Sequence, residues 1–108
     1  MADEQVKALI EKVRKKLNGA DFSNFTGRFA VQINLTGKVE GVFYIEILDG
    51  VLSVEPYEYI DKTGAVSITK TNFERLLLNG RIGLDSPKIE KVEGDKEKLS
   101  QFFALFAK

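Results

Sequence analysis

The dipeptide Asp49-Gly50 constrains this chain more than any other two residues in it. Both positions of a two-residue hairpin loop need positive φ, which glycine adopts freely and aspartate more readily than most residues. The flanks alternate: Phe43, Ile45 and Ile47 are separated by Tyr44 and Glu46, and Leu52 and Val54 by Ser53. A turn closing on Leu48 and Val51 pairs Ile47 with Leu52 and Ile45 with Val54. Phe43, Ile45, Ile47, Leu52 and Val54 then share one face. Slipping the pairing by one residue sets them against Tyr44, Glu46 and Ser53, so the register is strongly specified. Upstream, Phe29, Val31, Ile33 and Leu35 alternate with Ala30, Gln32 and Asn34, again at strand period. A three-residue loop, Thr36-Gly37-Lys38, keeps Leu35 in phase with Val39. Three antiparallel strands are expected at about 28–36, 39–48 and 51–55, with Pro56 ending the third or holding it at an edge.

A sheet with one apolar face must bury it, and the chain supplies amphipathic helices. Val6, Leu9, Ile10, Val13 and Leu17 recur at helical spacing, which predicts a helix over 4–17 with Asp3 as N-cap and Asn18-Gly19 as its stop. A fourth strand is expected at 64–69, carrying Val66 and Ile68. Thr71 and Glu74 have the spacing of a capping box, so a helix over 72–79 should start there and lose about 1 kcal/mol if Thr71 becomes alanine. A charged strand candidate at 88–93 contains Ile89 and Val92, and Gly94-Asp95 opens a last helix at 96–107. The expected class is α+β in one domain, 1–108: a five-stranded, mostly antiparallel sheet with helices packed on one face.

Residue counts narrow the chemistry. The 108 residues contain no His and no Cys, which removes the commonest general base, thiol catalysis and thiolate metal sites. Sixteen basic residues balance sixteen acids, so there is no basic excess of the kind nucleic-acid binders carry. Between Gly37 and Lys62 six acids face two lysines, an acidic edge in which Glu55, Glu58 and Asp61 are the candidate oxygen ligands for a hard cation. A solvated edge is the plainer reading of that cluster. Gly80-Arg81-Ile82-Gly83 follows a helix instead of opening one, so it presents no amide cradle to a phosphate. The N-terminus lacks the basic flank and apolar run of a signal peptide, and the uncharged stretch Leu99 to Ala107 is about half a membrane span; the expected address is cytoplasmic. That last helix is unusual. Leu99, Phe102, Phe103 and Phe106 form its stripe, and Leu105 lies off it, so the apolar arc is broad.

The order of elements and several short motifs resemble the sterol carrier protein type 2 domain family. The matching pieces are Phe29 to Leu35, Val42 to Ile47, the Asp49-Gly50 turn, the passage Val66 to Ile82, and Lys91 to Asp95. The resemblance implies an apolar tunnel between sheet and helices. Its lining role carries over to Phe43 and Ile45 of the sheet, Leu77 of the middle helix, Ile82 and Leu84 of the following loop, and Phe102, Phe103 and Phe106 of the last helix. The segment after Gly80-Arg81-Ile82 is short here, Gly83 to Lys88, which favours a fatty-acyl chain over a sterol as cargo. The expected function is non-catalytic binding without a cofactor, with a lipid or fatty-acyl partner and at most transient membrane contact. The alternative is an interaction module whose apolar C-terminal helix or sheet edge forms a homodimer.

Overall fold

The computed structural model of this chain describes residues 2–20, 22, 25, 27–58, 62–79 and 89–107, with the backbone alone for 2, 3, 78, 79, 106 and 107. Five strands and three α-helices follow in the order α1 (Ala2–Leu17), β1 (Arg28–Thr36), β2 (Gly41–Leu48), β3 (Val51–Glu55), β4 (Gly64–Thr69), α2 (Lys70–Asn79), β5 (Ile89–Gly94) and α3 (Lys96–Phe103), closed by a 3-10 turn, Ala104–Ala107. The strands form one sheet in the order β3-β2-β1-β4-β5. Neighbours run antiparallel except β1 and β4, which are parallel. The α+β class with a mostly antiparallel sheet is therefore observed.

The hairpin forms as its sequence requires. Asp49 and Gly50 take φ of 50° and 83°, and Leu48 pairs with Val51, Ile47 with Leu52 and Ile45 with Val54. The turn before it is longer than expected: β2 begins at Gly41, which stands opposite Leu35 in place of Val39. The shift is two residues, so the faces keep their parity. Gly41 is needed at that point, because a Cβ there would lie 2.7 Å from the Val6 side chain of α1.

Strand β1 is central, and its burial shows it. Phe29, Val31, Ile33 and Leu35 face the helices, while Ala30 and Gln32 on the opposite face are buried as well. With burial on both faces from Phe29 to Ile33, a charge there would be desolvated, in keeping with the uncharged run from Phe29 to Thr36. Val6, Leu9, Ile10, Val13 and Leu17 of α1 are all buried and join the same apolar cluster as the inner faces of β1, β2 and β4. Gly19, with φ of 80°, ends α1 where expected. Asp3 is not its cap, because the helix already starts at Ala2. Asp95 does cap α3, its carboxylate accepting the Lys98 amide at 3.2 Å.

Helix α2 corrects the expected capping box. It starts at Lys70, and the Thr69 hydroxyl at the end of β4 accepts the Asn72 amide at 3.2 Å. Thr71 therefore lies inside the first turn. Glu74 does not reach back to a cap; it accepts Lys12 of α1 at 2.6 Å and Lys70 at 2.9 Å, tying two helices together. Those two lysines, Lys12 first, hold the Glu74 carboxyl below its ordinary value. The last apolar run also divides: only 96–103 is α-helix, and 104–107 tightens into the 3-10 turn common at helix ends.

Two consequences are measurable by denaturant unfolding. Thr69→Ala is expected to cost about 1 kcal/mol, and Thr71→Ala, at an exposed position, less than about 0.5 kcal/mol. Glu74→Gln is expected to lower stability at neutral pH by under about 1 kcal/mol, since the pair is partly exposed. A carboxylate with a depressed folded pKa stabilises above its unfolded value, and this is lost as pH falls through the folded value. The difference between wild type and Glu74→Gln should thus be full above the ordinary value of 4.5, shrink as pH falls below it, and vanish only once pH has passed the lower folded value.

Candidate functional site

The layer between sheet and helices is walled on both sides by apolar side chains, and its geometry is set by rings. Phe102 of α3 is fully buried and stacks on Phe29 of β1, centroids 5.2 Å apart at 29°. Phe103 lies 5.7 Å from Phe102. Phe25, from the irregular connection between α1 and β1, closes the group at 5.1 Å from Phe29 and 6.5 Å from Phe102. Across the layer, Phe43 of β2 meets Phe73 of α2 edge-on at 5.6 Å and 81°. These are tilted, offset and edge-to-face arrangements of the kind that aromatic quadrupoles favour.

Of the eight residues assigned to a ligand by resemblance, Phe43, Ile45, Leu77, Phe102 and Phe103 are buried members of one continuous cluster. Phe106 falls in the 3-10 turn, where only the backbone is described, and Ile82 and Leu84 lie outside the described residues. Phe25 and Phe73 belong beside them. Phe73 was visible as an apolar helix position, but Phe25 sits in a segment with no periodicity, so nothing in its neighbourhood marked it as core.

Chemically the layer offers dispersion and exclusion of water. Among the described residues, the buried polar side chain is Gln32, which is on the outer sheet face and donates to Asn34 at 2.9 Å. No buried side-chain nitrogen or oxygen there lacks a partner. No group of three or more acidic, His or Cys side chains gathers among the described residues, and Asp61 of the expected acidic cluster lies outside them. On the outer face, burial first and then Glu55, Glu46 and Tyr57 push the Tyr44 phenol up.

Two open recesses border α1. A cleft of about 590 Å³ lies between its last turn and β3, lined by Arg14, Lys15, Leu17, Phe22, Leu52 and Val54 among others. Within it, Arg14 donates to the Val54 carbonyl at 2.6 Å and approaches Glu55 at 3.5 Å. A smaller recess of about 350 Å³ is lined by Val6, Lys7, Gly41, Val42 and Pro56. No helix among the described residues is long and apolar enough to cross a membrane.

The ring cluster makes a direct test of how α3 is held. Phe102→Ala removes a fully buried ring with aromatic neighbours on several sides. It should cost about 3–5 kcal/mol in thermal or chemical unfolding.

No protein-family model matches the chain, and no curated protein matches it either. Among solved structures, its fold is similar to part of the stereoselective inverting sec-alkylsulfatase Pisa1 from Pseudomonas sp., with a TM-score of 0.65 and 18% identity. The likeness covers 80% of this chain and 14% of that one, so the chain spans about a seventh of the alkylsulfatase's length and shares its fold over that part alone.

Proposed function

We infer that this chain is a non-catalytic binder of an aliphatic chain, a fatty-acyl compound or similar lipid, held between the sheet and the helices in the manner of the sterol carrier protein type 2 domains it resembles. The observation that carries the reading is the uniformity of the layer. Its two walls, from Phe43 and Ile45 on one side to Leu77, Phe102 and Phe103 on the other, present no ionisable or hydrogen-bonding side chain. Such walls match a guest made of methylenes, each contributing about 0.8 kcal/mol when removed from water. Because the Phe29–Phe102 stack leaves no space between those two rings, the guest in this reading lies beside the stack, and entry requires side chains to turn aside. In this reading the chain acts without a cofactor, in the cytoplasm. Its partners are the lipid and at most a transient membrane contact, with no nucleic acid.

Mass spectrometry of the protein under native and then denaturing conditions tests the idea. A co-purified acyl mass that leaves on denaturation is the expected result, together with saturable uptake of a fluorescent fatty acid. Phe103→Ala, which widens the layer without removing the Phe29 stacking partner, should change that uptake. Repeated preparations free of lipid, with no uptake by either protein, would refute the proposal.

A further inference from the structure

Strand β3 is an edge of the sheet, and its backbone is only half used. The tight turn makes Leu48 and Val51 the closing hydrogen-bonded pair, and in an antiparallel ladder such pairs alternate with non-bonded ones. Val51, Ser53 and Glu55 therefore bond to β2, while Leu52 and Val54 turn their amide and carbonyl groups outward. Arg14 reaching the Val54 carbonyl from outside the sheet agrees with that phase. The next outward position is Pro56, which has no N–H and so limits any further ladder to these two residues.

The two edges of the sheet differ in kind. Strand β5 carries Glu90, Lys91 and Glu93, all exposed, and its pairing with β4 is broken by a register shift. Charges and bulges of this sort keep edges from pairing. Strand β3 is uncharged from Val51 to Val54. The large apolar side chains exposed among the described residues are Leu48 at 43%, Val51 at 65% and Tyr57 at 64%, at its two ends.

We propose that the outer edge of β3, of which Arg14 occupies only the Val54 carbonyl, pairs with β3 of a second copy of this chain, antiparallel about a two-fold axis at Ser53. This register is self-complementary. Leu52 of each copy meets Val54 of the other, so both outward residues are used in both directions. Reversing the strand also sets the exposed Val51 of one copy diagonal to the exposed Tyr57 of the other, at both ends of the seam. The cleft of about 590 Å³ between α1 and β3 leaves room on the helix side of the edge. Arg14 competes with the incoming strand for the Val54 carbonyl. Stable specific interfaces bury about 1,200–2,000 Å² in total, and weaker ones less. Two five-residue strands with three exposed apolar side chains from each copy belong to the smaller class, so the dimer is weak and concentration-dependent.

The register makes a charge-directed test, because Val51 of each copy stands opposite Glu55 of the other. Sedimentation of the full chain across concentration should show a monomer–dimer equilibrium. Val51→Lys should tighten it, and Arg14→Ala should tighten it by removing the competing donor. Val51→Glu should weaken it about tenfold, since like charges directly opposite repel and the axis repeats the contact. Val51 is largely exposed, so a thermal melt should show both Val51 variants folded. It also lies on the outer face, so uptake of a fluorescent fatty acid should be the same in both and reports on the lipid reading independently. A wild-type chain and Val51→Lys that stay monomeric at every concentration would overturn the proposal. So would a dimer that responds equally to Lys and Glu at position 51, or a monomer whose β3 edge instead takes up an added extended peptide.

Discussion

The burial of the helix-facing side chains of β1 governs the arrangement of everything around it. Phe29, Val31, Ile33 and Leu35 need cover on one side, and all three helices contribute apolar residues to the cluster they form. On the other side Ala30, Gln32 and Asn34 are small or polar enough to lie against neighbouring strands without a second layer. The period of two makes this all-or-none: a side chain on the helix face cannot leave it without moving the whole strand. The outer face accordingly carries the polar and charged residues of the sheet, such as Tyr44, Glu46 and Glu55, while the ring cluster collects beneath.

Close backbone approach then decides how tightly the layers join. Gly94, with φ of 92°, would drive a Cβ into the Thr63 carbonyl, and a Cβ on Gly64 would lie 2.6 Å from the Glu93 carbonyl and 2.8 Å from Leu99. Neither position admits a side chain. Thr63 completes the junction: its amide donates to the Ala30 carbonyl, its hydroxyl accepts the Ala30 amide, and its carbonyl accepts the Asp95 amide. The start of β4, the early part of β1 and the cap of α3 are thereby fastened at one point. That fastening aims Leu99, Phe102 and Phe103 at the sheet.

Both proposals made for this molecule rest on surfaces and spaces and not on reactive groups. An apolar layer closed at one place by a ring stack and a strand edge with outward amides are different resources, one beneath the sheet and the other along its rim. In those proposals a guest among the rings would be held by dispersion and the exclusion of water, and a second strand at β3 by directional hydrogen bonds. The two can operate together, because Val51 and Tyr57 stand outside the cluster to which Phe43 and Ile45 belong.

Much of this was legible in the residues themselves, wherever the information is local. The Asp49-Gly50 turn determined the β2–β3 register, helical spacing marked the buried positions of α1, and Gly94-Asp95 announced the start of α3. Five of the eight assigned lining residues are buried together, because burial follows periodicity. What the tertiary structure alone decided depends on groups distant in sequence. Thr69 displaced Thr71 as the cap because β4 delivers the chain to α2 two residues earlier, and Glu74 turned to Lys12, a partner 62 residues away. Phe25 entered the ring cluster from a segment without a pattern, and β1 took β4 as a parallel neighbour, a pairing that no short-range signal specifies. Periodicity records which side of an element meets water; which other element meets its dry side is settled only when all of them compete for the same core.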